Sequence, residues 1–83
     1  MVYTTTFRGY GLESQSDDTS AFRSGTAARR QFLEASKAKG TKGKSHVSIS
    51  LTLGGTEIFR AHGMGVRSAF LSFRDHLGRM SAR

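Results

Sequence analysis

The chain has 83 residues and a formal net charge of +7, from 13 lysines and arginines against 6 acidic residues. A chain this short folds as a single domain with one modest core. This argues against most cofactor-dependent enzymes, because they need a second layer or lobe to enclose a substrate. The absence of cysteine excludes disulfides and thiolate metal sites and fits a reducing cytoplasm. We expect a small, basic, cytoplasmic protein.

No segment of the sequence predicts contact with a membrane. Residues 1–6 lack the charged and then apolar pattern of a signal peptide. No apolar run approaches the roughly 20 residues that a membrane span requires.

The first half of the chain predicts a strand followed by a long helix. Residues 2–8 are β-branched and aromatic, which is typical of a strand. A helix is expected over residues 20–38, because apolar residues recur on one broad side of it at helical spacing, and Gly40 stands where a C-cap is expected. Between them we expect a polar loop over residues 13–20. It offers several possible N-caps for the helix: Asp17, Asp18, Thr19 and Ser20.

The second half predicts a hairpin and a second helix. Residues 46–53 alternate between apolar and polar, Gly54-Gly55 indicates a two-residue turn, and residues 56–62 form the return strand. The register of that strand stays open by one residue, so either Ile58 or Phe59 faces outward. With a helix over residues 66–80, the order is β-α-β-β-α. We expect an α+β fold of two layers, with two helices packed on one face of a three-stranded, largely antiparallel sheet.

The positive charge is concentrated in two segments. Residues 1–22 carry a net charge of −2, residues 23–44 one of +6 and residues 67–83 one of +3. Nine of the 13 basic residues are arginines, which favours forked contacts with phosphate or carboxylate. On the first predicted helix, three cations recur every seven residues and therefore lie on one side. The residues expected to bind nucleic acid or another partner are Arg23, Arg30, Lys37, Lys39, Lys42, Lys44, Arg67, Leu71 and Arg74.

Two glycine-containing segments match phosphate-binding loops in part. Residues 38–45 fit the looser phosphate-loop signature, but a helix precedes them and a strand follows, the reverse of the order that this loop requires. We interpret them as a basic connector.

Gly63-x-Gly65-x-Arg67 lies between a strand and a helix, where free amides suit an anion. A turn that requires positive φ explains these glycines better.

The sequence contains no evident catalytic or metal-binding constellation. His46, His62 and His76 lie on different elements without the spacing of metal ligands. Asp17 and Asp18 are adjacent, and helix capping explains them better than acid–base catalysis. No serine has an obvious histidine partner. We therefore expect no enzyme activity, no cofactor, no metal and no small-molecule substrate.

The segment from residue 46 to residue 80 is loosely similar to the hairpin and final helix of double-stranded RNA-binding domains. Those domains carry a lysine cluster at the start of the last helix, where this chain has Arg67 alone. Those domains also have the order of helix, three strands and helix. The leading strand and two-stranded hairpin predicted here depart from that order. We therefore assign no binding residues from this resemblance.

As a short, cysteine-free α+β chain, the protein resembles in size and architecture the small phage-encoded inhibitors of host defence, such as anti-CRISPR proteins. That resemblance implies binding to a nuclease or a guide-RNA complex. Acidic members of this group mimic DNA, and a charge of +7 excludes that mode here. A basic member would instead contact acidic protein surface, or the guide RNA and DNA of a nucleoprotein.

Two functions are expected. The first is a non-catalytic binding protein whose cationic helix-and-loop surface engages nucleic acid or a nucleoprotein complex, with strongly salt-dependent affinity. The alternative is a small phage-type inhibitor that blocks an acidic protein surface of a host nuclease or guide-RNA complex. In that case Leu71 and either Ile58 or Phe59 would be apolar anchors.

Overall fold

Two helices pack on one face of a four-stranded antiparallel sheet. The computed structural model describes residues 1–81, and side chains as far as residue 80. The sheet has the order β2-β1-β3-β4, and each strand runs antiparallel to its neighbours. Arg83, which contributes to the charge of the C-terminal segment, lies outside the described residues. In chain order the elements are β1 (Tyr3–Gly9), β2 (Leu12–Asp18), α1 (Ala21–Lys39), β3 (His46–Leu53), β4 (Thr56–Met64) and α2 (Val66–Ser81).

Strand β2 corrects the prediction of a polar loop over residues 13–20 and of three strands. Its residues alternate between half-buried and exposed, but the half-buried ones include Ser14 and Ser16, so the alternation is not one of hydrophobicity. The turn before it is the signal that sequence reasoning missed. Tyr10 and Gly11 both have positive φ, at 55° and 72°, as a two-residue hairpin turn requires. The order is therefore β-β-α-β-β-α.

Both ends of α1 confirm the predicted caps. Ser20 is extended, with φ −108° and ψ 129°, and its side chain accepts a hydrogen bond from the backbone N–H of Arg23. Gly40 has φ 77°, the left-handed conformation typical of a helix C-cap. Strand β3 has the predicted bounds, whereas β4 extends two residues further and α2 one residue further than predicted.

A β-bulge determines which large residue of β4 faces the core. Gly54-Gly55 forms the expected tight turn, but the pairing shifts by one residue, so that Leu51 pairs with Phe59 and Thr52 with Glu57. The extra residue, Ile58, is 38% exposed. Phe59 faces inward, with its ring centroid 5.6 Å from that of Phe73. The open register is thus resolved with Phe59 in the core, whereas Ile58 lies partly exposed beside His76 and Met80 of α2.

The core lies between the sheet and the two helices. The Phe7 ring lies 5.6 Å from Phe32 of α1 and 6.3 Å from Phe70 of α2, so it joins both helices to β1. A buried hydrogen bond of 2.6 Å between the Thr5 and Ser24 hydroxyls satisfies both polar groups. Among the described residues, the buried apolar side chains are Phe7, Ala28, Phe32, Val47, Ile49, Leu51, Ala61, Ala69 and Phe73.

The second face of the sheet is open, with no helix packed on it among the described residues. Its residues are those that alternate with the core positions, and they are mainly polar. Thr6 and Ser50, two hydroxyl residues in the middle of this open face, are nevertheless buried, at only 8% and 6% exposed. Within residues 1–81 there is no helix with the length and apolarity to cross a membrane.

Tyr10 joins the first hairpin to the basic loop over residues 41–45. Its hydroxyl donates to the Gly43 carbonyl at 2.9 Å and accepts from the Ser45 N–H at 3.3 Å. Its own carbonyl accepts from the Lys39 Nζ at 2.6 Å. One residue therefore holds the end of α1 and the following loop against the β1–β2 turn.

Two glycines allow α2 to approach its neighbours closely. An added Cβ at Gly63 would overlap the backbone of Ser68 and Ala69, and one at Gly25 would overlap the Phe73 ring. In the segment before α2, Gly65 has φ 93° and its N–H donates to the Ser45 carbonyl at 2.8 Å. The positive φ predicted for Gly63 and Gly65 is therefore confirmed at Gly65 alone, since Gly63 lies within β4 without it.

Replacing Gly63 with alanine should lower the free energy of unfolding by about 1–3 kcal/mol, because the methyl group would overlap helix backbone rather than a flexible side chain. Chemical denaturation measures the loss. The matched control is Gly78→Ala on α2, where an added Cβ would meet open space among the described residues. That change should raise the free energy of unfolding by about 0.5–1 kcal/mol. Equal changes in the free energy of unfolding for Gly63→Ala and Gly78→Ala would contradict the close approach of Gly63 to the backbone of α2.

Candidate binding surface on the helical layer

The outward side of α1 carries the predicted row of cations. Arg23, Arg30 and Lys37 are all exposed on the side of the helix that faces away from the sheet, and we call them the α1 row. The Arg23 Nε donates to Asp18 at 3.0 Å. Arg30 and Lys37 make no ion pair with any described side chain. Two of the three cations are therefore available to a partner.

A groove between the helices brings together cations and apolar side chains from both. Its volume is about 530 Å³. The predicted residues Arg67, Leu71 and Arg74 form its α2 side, and Arg29 and Leu33, which sequence reasoning did not single out, form its α1 side. We call this feature the arginine groove. Its lining residues are Arg29, Leu33, Val66, Arg67, Phe70, Leu71 and Arg74.

Arg29 is the residue of the groove with the most unusual environment. Its Nε is buried and has no hydrogen-bond partner among the described residues. Its guanidinium carbon lies 5.0 Å from the centroid of the Phe70 ring, which is a cation–π contact. A buried donor without a partner costs roughly 1–3 kcal/mol, more for a charged group. A ligand in the groove that offers an oxygen would instead bond to the terminal nitrogens of Arg29, because the Nε itself is covered by protein.

The groove continues past both ends of its central part. Lys44 lies at one end, beside Arg67 and Leu71 at the start of α2. At the other end, Phe22 lies next to Arg74. Since α2 rises about 1.5 Å per residue, the lining from Val66 to Gly78 extends for about 18 Å.

The structure divides the predicted binding residues among different places. Lys44, Arg67, Leu71 and Arg74 meet along the groove. The α1 row lies beside it on the same helical layer. Lys39 is bonded to the Tyr10 carbonyl, and Lys42 is exposed in the loop without lining the groove. The predicted surface is therefore two adjacent sets of residues, one lysine with a structural contact and one exposed lysine in the loop.

Carboxylates are kept away from the groove. Four of them pair with arginines elsewhere: Glu13 with Arg8, Asp18 with Arg23, Glu57 with Arg60 and Asp75 with Arg79. Among the described residues, none lines the groove or its two extensions. Apolar side chains there are unusually open to solvent, since Phe22 is 50%, Leu33 40% and Leu71 54% exposed. The groove thus presents positive charge and apolar surface together.

Asp18 connects the end of β2 to the start of α1. It accepts from the Ser20 N–H at 2.9 Å and from the Arg23 Nε at 3.0 Å. The bond from Ser20 is the largest influence, and with that from Arg23 it holds the pKa of Asp18 below its ordinary value of 3.8, although partial desolvation opposes them. The carboxylate form therefore stabilises this junction.

Because the folded pKa is lowered, the charge of Asp18 stabilises the fold above the unfolded pKa, and this contribution is lost as pH falls through the folded pKa. Asp18→Asn should lower the melting temperature near neutral pH, and the difference from wild type should close in acid. Melting curves across that pH range measure it. Asp17→Asn removes the same charge from a residue that accepts from Thr4 on the open face, and should show a smaller difference. A difference in melting temperature between Asp18→Asn and wild type that does not change with pH would contradict the lowered pKa of Asp18.

Comparison with known proteins assigns no family to the chain. No protein-family model matches it, and no curated protein or solved structure matches it either. A functional assignment therefore rests on the position, burial and charge of the side chains themselves.

Proposed function

We propose that the protein is a non-catalytic binding protein whose arginine groove engages an acidic surface of a partner protein. The observation that carries this proposal is the groove itself, in which Arg29, Arg67 and Arg74 surround exposed leucines and no described carboxylate is present. A small inhibitor that blocks an acidic surface of a nuclease or guide-RNA complex would act through such a groove.

The combination of charge and apolar surface favours protein over nucleic acid at this place. A phosphate backbone offers oxygens to the arginines but no apolar group to cover Leu33 and Leu71, which are 40% and 54% exposed. A protein surface can offer carboxylates and apolar side chains at once. Interfaces between proteins are enriched in arginine and aromatic residues at their centres, the composition that Arg29 and Phe70 provide here.

The arginines are suited to carboxylates by geometry as well as charge. A guanidinium presents parallel N–H groups that match the two oxygens of a carboxylate, and a hydrogen bond to a charged group contributes about 1.5–3 kcal/mol. The Phe70 ring restrains the Arg29 side chain, so less conformational freedom is lost on binding. Arg67 and Arg74 lie on the same flank of α2, at a spacing of seven residues, and would contact the partner from the other side.

Reversing Arg67 and Arg74 to glutamate should abolish capture of a partner, because the groove would then repel carboxylates. The assay is a pull-down from nuclease-treated bacterial lysate with the tagged protein. The captured protein is then mixed with purified wild type, and amide hydrogen exchange should show protection over α1 and α2.

The matched control is Arg60→Glu with Arg79→Glu, which changes the net charge equally at exposed arginines outside the groove. This variant should retain the partner. Equal loss with both double variants, or a complex that protects the sheet face instead of the helices, would refute a specific role for the groove. Circular dichroism confirms that each variant is folded.

A second function, binding of nucleic acid or a nucleoprotein, is favoured by the α1 row. Arg30 and Lys37 face outward, lie roughly 10 Å apart along the helix axis and have no ion-pair partner among the described side chains. Such exposed cations suit a phosphate backbone, which attracts them through charge alone.

If the α1 row contacts phosphates, labelled DNA or RNA should bind at low salt, and the affinity should fall steeply as salt rises. Replacing Arg30 and Lys37 with alanine should then reduce the slope of log affinity against log salt concentration by about two. Fluorescence anisotropy measures both quantities. Alanine at Arg60 and Arg79 is the control for net charge. Absence of binding to either nucleic acid at low salt would exclude this second function and leave the first intact.

A further inference from the structure

We propose that His46, His62 and Met64 form a binding site for a soft monovalent metal ion, copper(I), on the open face of the sheet. The site lies on strands β3 and β4, on the side of the sheet opposite the helices. The two histidines lie outside the arginine groove, whereas Met64 also borders its Lys44 end.

The strand register brings the three residues together. His46 is paired with Met64 across β3 and β4, and Ser48 is paired with His62. Since alternate residues of a strand share a face, His46 lies on the same face as Ser48, and His62 on the same face as Met64. The register therefore places all three residues at one end of the open face, with the two histidines in contact and Met64 opposite His46, although 16 residues separate the histidines in sequence.

The two imidazoles meet nitrogen to nitrogen. The His46 Nε2 lies 2.9 Å from the His62 Nδ1, and the ring centroids are 5.0 Å apart with 26° between the ring planes. A neutral imidazole has one N–H and one lone pair, so this hydrogen bond holds a single proton between two basic nitrogens. A metal ion that binds both nitrogens takes the place of that proton, and the donor ring changes tautomer, so that its proton moves to the ring nitrogen on the other side.

Binding requires only a small rearrangement. Two metal–nitrogen bonds of about 2.0 Å on one line would separate the nitrogens by about 4 Å, roughly 1 Å more than in the hydrogen bond. Both histidines are exposed, so rotation of their side chains can provide this without disturbing the core.

The available ligands favour copper(I) over zinc. A protein zinc site uses three or four nitrogen, sulfur or oxygen ligands, and no group of three His, Cys, Asp or Glu residues occurs among the described residues. The third candidate donor is the thioether of Met64, which is 56% exposed and selects soft ions. Imidazole also suits copper, and copper(I) accepts a low coordination number.

Four cations among the described residues lie near the site, which favours an ion of low charge. Lys44 and Arg67 border Met64 at the end of the groove. Arg8 and Arg60 lie on the same face, but each is bonded to a glutamate. Arg8 donates to Glu13 on β2, on the side of β1 away from the histidines, and Arg60 donates to Glu57 on its own strand. A monovalent ion also meets less repulsion from these groups than a divalent one.

Anaerobic titration of the purified protein with copper(I), in competition with a chromophoric copper(I) chelator, tests the site. One equivalent should bind. His46→Ala and His62→Ala should each weaken binding at least about tenfold, since the loss of a direct ligand costs no less than the loss of an outer-shell partner. In NMR spectra, silver(I), a redox-inert substitute, should shift the ring signals of both histidines and the methyl signal of Met64.

Two further variants separate this site from adventitious binding. His76→Ala removes a histidine on α2 that stacks on Phe59 and should leave the affinity unchanged. Met64→Leu keeps the volume but removes the sulfur, and should weaken binding of copper(I) but not of nickel(II). Absence of stoichiometric binding, or equal losses for His76→Ala and His46→Ala, would overturn the proposal. Unchanged copper(I) affinity in Met64→Leu would overturn the role of the thioether.

Discussion

The close approach of α2 to the sheet and to α1 is the constraint on which the rest of the structure depends. Gly63 lies against the backbone of Ala69, and Gly25 lies against the ring of Phe73. Because neither glycine has a side chain, α2 lies low on the sheet and one aromatic ring fills the space where the helices meet. Phe70 then forms the floor of the arginine groove. Arg29 of α1 lies on one side of the groove, and Arg67 and Arg74 of α2 lie on the other.

The parts of the fold that could be predicted from the sequence are those with a local signal. Both helices have apolar side chains at helical spacing, α1 has recognisable caps, and β3 alternates between apolar and polar. Strand β2 could not be recognised in this way, because Ser14 and Ser16 occupy its inward positions and an edge strand needs little apolar surface. The bulge at Ile58 had no local signal either, since either register buries one large apolar residue.

The residues of the candidate sites also differ in whether local spacing along the chain predicts their position. The α1 row was predictable because residues seven apart lie on one side of a helix, and the flank of α2 with Arg67 and Arg74 was predictable for the same reason. Arg29 was not, because its burial depends on where α2 packs. The contact between His46 and His62 depends on the register of β3 against β4, which spacing along the chain does not reveal.

The hydrogen bonds of Tyr10 have a consequence for the entropy of association. A loop of glycines and lysines, such as residues 40–44, would normally lose much conformational freedom when a partner orders it. Here the Tyr10 hydroxyl already holds Gly43 and Ser45, so the backbone on both sides of Lys44 is restrained before any partner arrives. The end of the groove beside Arg67 is thus pre-organised, and the contacts of Lys44 there carry a smaller entropic cost than those of a lysine in a free loop.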